Sequence, residues 1–323
     1  MKSPGNSPPV PQSKLHEIVI SAHNIAETTK SRYLRDLDQW IAFVGSNPIN
    51  WTRKAAAVFY DELLKRMKPQ SANRLMQSVG YASRWFAHYE NNDDLDFARV
   101  ATAKAKDRKP QLALDEASAR ALLDTCDHSY AGIRDFALIV VGLETGMRCM
   151  SLLGIRSEGL TLNALGPWPY PAAFVPLKGR DPDWVPLSDI SLVALNQWLL
   201  VLDRYQQLTG PVFCPLRRSA ISSTPFRPTD KVLSMSGVAK IFSERSKLAG
   251  LRHINPHLLR HTFVTWREAM GQKPQEIAAI THHSLGKLGA LGGYMDAREI
   301  GGRVRNSTPP WLADLVHRRM SDR

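Results

Sequence analysis

The chain has 323 residues, 43% of them hydrophobic, and carries 42 Lys and Arg against 30 Asp and Glu, a formal net charge of +12 with a sequence pI near 9.8. That length accommodates two domains with separate cores, while its apolar runs fall short of the roughly 18 to 20 residues that span a bilayer. The charge favours a polyanion, nucleic acid before a membrane surface, because neither a basic amphipathic helix nor a lipidation signal is found.

Residues 1–12 are rich in Pro and Ser and read as a disordered lead-in with no secretory signal. From 13 to 98 apolar residues recur at helical spacing in three stripes. The first is Tyr33, Leu37, Trp40, Ile41 and Val44. The second is Val58, Leu63, Leu64 and Met67, and the third Leu75, Val79, Ala82, Trp85, Phe86 and Tyr89. Asn47-Pro48 and Lys68-Pro69 mark turns, and Thr28 and Thr52 stand where helix caps are expected. This is a small all-helical domain. Its basic residues, Arg32 and Arg35 among them, lie largely off the stripes and read equally as a solvated face or as a surface facing DNA. Residues 99–111 hold few apolar side chains and five basic ones, Arg99, Lys104, Lys106, Arg108 and Lys109. They read as an interdomain linker, either lying along phosphates or charged to stay solvated.

A second helical domain opens at Asp115, which caps a helix carrying Ala119, Leu122 and Leu123. A helix over 133–144 ends at Gly146, and a short one with Leu152 and Leu153 follows. Helical periodicity lapses over 160–187, where strands at 173–177 and 184–187 flank a polar turn at 178–183. Helical signal returns at 192–202, residues 211–230 read as an extended loop, and Ser236 caps a helix running to about 249. Further helices cover 257–269, ended by Gly271, and 274–281. In the tail, 301–323, Trp311, Leu312, Leu315 and Val316 fall at near-helical spacing, for docking on a neighbouring protomer or packing on their own domain. The fold class expected is mainly α, two domains, with a small antiparallel β-sheet in the second.

Cys126, Cys149 and Cys214 are widely spaced and odd in number, which argues against a disulfide framework or a zinc site and fits a reducing cytoplasm. No carboxylate pair or H-E-x-x-H spacing implies a metal. The chemistry gathers elsewhere. His257 and Arg260, three apart on one helix, share a face and can reach one phosphate, and a planar guanidinium is well suited to the charge that builds on a phosphodiester under attack. Tyr294 is the only tyrosine after Tyr205, and a phenol is a nucleophile when its neighbours stabilise the oxyanion or take its proton.

Three boxes in order resemble the tyrosine recombinases, or phage integrases, whose catalytic domain is shared in outline with type IB topoisomerases. They are Thr145-Gly146-Met147-Arg148 followed by Leu152-Leu153-Gly154-Ile155; His257-Leu258-Leu259-Arg260-His261-Thr262-Phe263; and His283 followed by Tyr294. The resemblance covers roughly residues 14–297. It implies a helical core-binding domain at 13–98 and a catalytic domain at 112–300. In the latter Arg148 and Arg260 clamp the scissile phosphate, and His257 and His283 hydrogen-bond its oxygens and help move protons. Tyr294 attacks to leave a 3′-phosphotyrosine, and Lys178 of the polar turn protonates the departing 5′ oxygen, with Lys231 and Lys240 as lesser candidates. His261 fits a supporting role. The resemblance further implies a homotetramer on two duplex DNA sites, a Holliday-junction intermediate, no metal or cofactor, and a place in the cytoplasm on the nucleoid.

The chain departs from that pattern at three points. Ser151 stands where the family has a carboxylate three residues after the first arginine, and a Glu there is expected to be accepted. His282 replaces a common Gly, so that the choice of His283 over His282 rests on spacing. The interval from His283 to Tyr294 is about two residues longer than usual. Two other readings stand beside integration or excision of a mobile element. One is a non-catalytic DNA-binding regulator, with residues 274–281, the turn at 282–284 and the segment that follows read as a helix-turn-helix. The other is a relaxing topoisomerase of type IB chemistry.

Overall fold

The structure is a computed structural model that describes residues 13–100, 102–104, 112–162, 170–218, 226–282 and 307–321. The chain divides into two compact units, residues 1–109 and 110–323.

The first unit is helical: α1 (Lys14–Ser21), α2 (Glu27–Val44), α3 (Arg53–Arg66) and α4 (Pro69–Tyr89). The first and third apolar stripes point inward, with Leu37, Trp40, Ile41, Leu75, Val79, Ala82 and Phe86 buried, except that Tyr89 at the end of the third is exposed. The second departs from expectation at one position, since Leu63 is buried and Leu64 and Met67 pack against the same core. Val58 is 47% exposed, while its neighbours Phe59 and Tyr60 are buried. The larger aromatic face wins the core, with the Phe59 ring meeting Trp40 edge-on at 5.3 Å. Thr52 caps α3 by accepting from the Ala55 amide, whereas Thr28 lies inside α2, whose cap position is Ala26. Residues 102–104 stay with this unit. The Ala103 amide donates to the Tyr60 hydroxyl at 2.6 Å, and Asn73 Nδ2 donates to the Ala103 carbonyl at 3.0 Å.

In the second unit α5 (Glu116–Asp124) is capped by Asp115, whose Oδ1 accepts from the Ser118 amide at 2.8 Å. α6 (Tyr130–Thr145) is buried along most of its length and forms the central rod against which α8 (Asp189–Arg204) and α10 (Pro256–Ala269) pack. In sequence between α6 and α8 come the short α7 (Cys149–Leu153) and a three-stranded antiparallel sheet in the order β1 (Leu160–Thr161), β2 (Ala172–Leu177), β3 (Arg180–Pro186). The turn between β2 and β3 is shorter than the sequence suggests. Leu177 pairs with Arg180, leaving only Lys178 and Gly179, the latter at φ +71, a conformation a residue without Cβ adopts freely. The expected loop at 211–230 contains a second hairpin, β4 (Leu216–Arg218) with β5 (Phe226–Pro228). α9 (Met235–Leu248) is capped by Ser234, whose Oγ accepts from the Gly237 amide, and not by Ser236. α11 (Pro274–Thr281) follows α10.

The described part of the tail forms α12 (Pro310–Ser321), in which Leu312, Leu315 and Val316 are buried within the second unit. Of the two placements the sequence left open for the tail, these three side chains take packing on their own domain. Trp311 stacks edge-on against Trp266 at 5.3 Å. Thr308, just before α12, donates to Glu144, which also pairs with Arg267 at 3.5 Å with both side chains buried. Among the described residues no helix is long and apolar enough to cross a membrane. Burial raises the thiol of Cys126 to about 12 and that of Cys149 to about 11, which keeps both protonated and poorly nucleophilic.

Candidate active site

The first arginine box is built at a helix end. α6 terminates where Gly146 turns left-handed at φ +58, a conformation Gly reaches without steric penalty. Two residues on, Arg148 takes the cap position of α7. A Cβ on Gly146 would lie 2.4 Å from Cδ1 of Phe263, so the turn and α10 approach too closely for any other residue. Gly142, one turn earlier, meets Leu259 in the same way, at 2.6 Å.

The second box lies on α10, which starts with Asn255 accepting from the Leu258 amide and Pro256 in the first turn, a sequence suited to a helix start. His257 is on the exposed first turn. Arg260, one turn in, is 2% exposed. Its Nη1 donates to the Gly146 carbonyl at 2.8 Å and its Nη2 to the Thr281 carbonyl at 2.7 Å. Both acceptors lie at helix C-termini, where the helix dipole is negative, and the two bonds fix the plane of the guanidinium beside Arg148. Burial, and then the charge of Arg148, lower the Arg260 pKa to about 10. It remains charged at neutral pH. Burial also lowers the His257 pKa, with the charges of Arg260, Arg148 and His261 adding to it, which favours the neutral, proton-accepting imidazole.

α11 brings a third group. His282 closes it in the left-handed region, φ +50 and ψ +42, which explains why Gly suits this position and what His tolerates there. The imidazole Nδ1 is 3.9 Å from Asp183 Oδ2 on β3, and Nε2 is buried with no hydrogen-bond partner among the described residues. Burial lowers the His282 pKa; Asp183 opposes the shift, while Arg180, Arg260 and Arg148 reinforce it. Asp183, Arg180 and the two carbonyls were not singled out from the sequence. A carboxylate inside a polar turn and a backbone oxygen at a helix end carry no motif. His282 was legible only as a substitution for Gly.

Lys178 is exposed at the tip of the β2–β3 turn. Ser151 is 4% exposed, and its Oγ donates to the Pro176 carbonyl at 2.6 Å. The hydroxyl thus bonds β2, where an acceptor-only carboxylate would face a carbonyl. A Glu at 151, expected from the sequence to be accepted, would lose this bond. His261 is exposed, with Nδ1 3.5 Å from Thr265 Oγ1.

Of the remaining candidates, His283 and Tyr294 lie outside the described residues, as do Lys106, Arg108 and Lys109. Arg32, Arg35 and Lys104 belong to the first unit. Arg32 lies over the Tyr33 ring at 5.1 Å, Arg35 donates to the Ser31 carbonyl, and Lys104 is exposed. Among the described residues no group of three or more His, Cys, Asp or Glu is placed to hold a metal ion.

Comparison with known proteins gives this geometry a context. The family model described as "Phage integrase family" matches residues 113–287. The tyrosine recombinase XerC of Pelobacter propionicus is 26% identical over 277 residues, covering 81% of this chain and 82% of that protein. Among solved structures, the Tn1549 transposon integrase in complex with transposon right-end DNA superposes with a TM-score of 0.62 at 17% identity, covering 90% of this chain and 96% of the other. A lambda integrase tetramer bound to a Holliday junction gives a TM-score of 0.59 at 14% identity over 84% of this chain and 75% of the other.

Proposed function

The chain belongs to the phage integrase family, and we infer from this membership that it is a site-specific tyrosine recombinase, cutting and rejoining duplex DNA through a 3′-phosphotyrosine intermediate. The observation that carries the reading is the placement of Arg260. A buried guanidinium is held by two helix-end carbonyls next to a second arginine whose charge lowers its pKa. Two like charges fixed on rigid elements are stabilised by an anion between them, and a phosphodiester gains negative charge as it is attacked.

In the proposed cycle Arg148 and Arg260 bind the nonbridging oxygens of the scissile phosphate. The phenol oxygen of Tyr294 attacks phosphorus and its proton passes to the neutral imidazole of His257, while His283 hydrogen-bonds a phosphate oxygen. The bond from phosphorus to the 5′ oxygen breaks, and Lys178 supplies the proton that makes the 5′ hydroxyl. A 5′ hydroxyl from a partner strand then attacks the phosphotyrosine, the protons return, and the phenol leaves. Energy is retained in the phosphotyrosine bond, so the cycle needs neither ATP nor a metal. Residues 13–98 form the core-binding domain, with Arg32, Arg35 and Lys104, and then Lys106, Arg108 and Lys109 of the linker, on phosphates. Residues 112–300 form the catalytic domain. The lambda integrase tetramer on a Holliday junction supports a homotetramer on two sites, and the Tn1549 integrase supports the integration or excision of a mobile element, carried out in the cytoplasm on the nucleoid.

The test begins by selecting the bound site from random-sequence duplex DNA. A nicked suicide duplex of that site is then incubated with protein and examined under denaturing conditions. Wild type forms a covalent adduct and Tyr294→Phe forms none. A selected site without adduct supports the non-catalytic regulator instead, and relaxation of a supercoiled circle without exchange between two sites supports the topoisomerase.

A further inference from the structure

Ser151 lies three residues beyond Arg148, on the first turn of α7, and points away from solvent toward β2. Its 2.6 Å bond reaches the carbonyl of Pro176, a residue at an irregularity in the sheet. Val175 pairs with Asp183 and Leu177 with Arg180, so one residue of β2 faces two of β3. Pro176 offers the ladder no N–H. Its ring instead packs on the residue that ends α7: a Cβ on Gly154 would lie 2.3 Å from Pro176 Cγ. A hydroxyl bond and a glycine–proline contact therefore lock α7 to β2. Lys178 is two residues farther along the same strand, at the turn. From Arg148 to Lys178 the path is one helical turn, one hydrogen bond and two residues of chain.

We propose that Ser151 is a positioning residue for the leaving-group acid: its hydroxyl holds the Lys178 hairpin in register with the Arg148 clamp. An exposed lysine at a two-residue turn has no fixed position of its own, and a general acid acts only within hydrogen-bond reach of the oxygen it protonates. The bond to Pro176 fixes the base of that hairpin on the element that carries Arg148. A carboxylate at 151 cannot do this, because it has no proton to give the carbonyl. The inference rests on the reading of Lys178 as the acid that protonates the 5′ oxygen, and its test separates the two.

The probe is the selected site as a nicked duplex in two forms, one all-oxygen and one with sulfur replacing the bridging 5′ oxygen at the scissile bond. Sulfur departs as a thiolate, a far weaker base than an alkoxide because a thiol titrates near about 8.5, so that the bond breaks without protonation and cleavage no longer needs the acid. Ser151→Ala is expected to cleave the all-oxygen duplex about tenfold to a hundredfold more slowly than wild type, a partial loss of the roughly 100- to 10,000-fold that a positioned general acid supplies. It is expected to cleave the sulfur duplex at close to the wild-type rate. Lys178→Ala is expected to show the same rescue from a deeper defect, while Arg148→Ala is not rescued. Ser151→Thr, which keeps the hydroxyl, is expected to stay within a few-fold of wild type on both duplexes. Equal slowing of Ser151→Ala on both, or no slowing on either, overturns the proposal while leaving Lys178 in its role. Failure of sulfur to rescue Lys178→Ala removes that role and the proposal with it. Thermal unfolding verifies that Ser151→Ala folds; if it does not, the nearly isosteric Ser151→Cys is read by the same comparison.

Discussion

Arg260 donates from Nη2 to the carbonyl of Thr281, the last residue of α11, at 2.7 Å. The same guanidinium reaches Gly146 at the end of α6. One side chain thereby joins two helix ends, and its orientation depends on three elements distant in sequence. An ammonium lacks the planar fork that holds both carbonyls at once. Arg260→Lys and Arg260→Ala are each expected to lower covalent adduct formation by more than about 100-fold, the scale of losing one transition-state donor. DNA binding in a gel shift is expected to change by less than about tenfold, because basic contacts elsewhere remain. A larger loss of binding would show that Arg260 supports the whole interface.

The crowding of Arg148 and Arg260 predicts stabilisation by a simple tetrahedral anion. At sulfate concentrations tenfold above its dissociation constant, binding to the folded state adds about 1.4 kcal/mol, visible as a higher unfolding midpoint than in chloride of equal ionic strength. Sulfate also strengthens burial in general, so the comparison is made with Arg148→Ala and Arg260→Ala. Both are expected to lose the specific increment. A sulfate response unchanged in both variants would show that the arginine pair is no anion site.

Both imidazoles at the site have folded-state pKa values below the ordinary 6.5, His257 and His282 alike, with burial the largest cause. Above pH 6.5 the folded and unfolded chains hold these groups equally neutral. As pH falls below 6.5 the unfolded chain takes up protons first, so stability declines until the folded-state values are passed. Urea midpoints followed from pH 8 to pH 5 are expected to drop across that window, and less steeply in His257→Asn and His282→Asn. Cleavage that depends on neutral His257 is expected to persist at pH 6.5 and fade only below it. Activity that already halves at 6.5 would contradict the lowered value.

Gly146→Ala is expected to destabilise the second unit by about 2–5 kcal/mol, combining about 1–2 for a left-handed residue with a Cβ and about 1–3 for overpacking. The Cβ would meet Phe263, whose Cδ1 and Cγ lie 2.4 and 2.8 Å away. Shortening the obstacle tests the cause. Phe263→Leu on the Gly146→Ala background is expected to recover part of the loss in urea unfolding. An additive double variant would show that backbone strain alone is responsible.

Much of the architecture follows from local sequence. Asp115, Thr52 and Asn255 cap the helices they precede because a side-chain oxygen reaches an amide two or three residues on. Gly146 and Gly271 stop helices because their backbone turns left-handed. His257 and Arg260 share a helix face for the same local reason, so the chemistry of the second box could be read without a fold. Tertiary packing decided the rest. It chose Phe59 over Val58 for the core, made a hairpin within 211–230, and drew the apolar residues of α12 into their own unit. Above all it selected the partners of Arg260 and Ser151. These are carbonyls of Gly146, Thr281 and Pro176, separated from their donors by 114, 21 and 25 positions. Every residue carries such a carbonyl, so no motif marks the one that will be used. Only the approach of α6, α10, α11 and β2 determines which oxygen lies within reach.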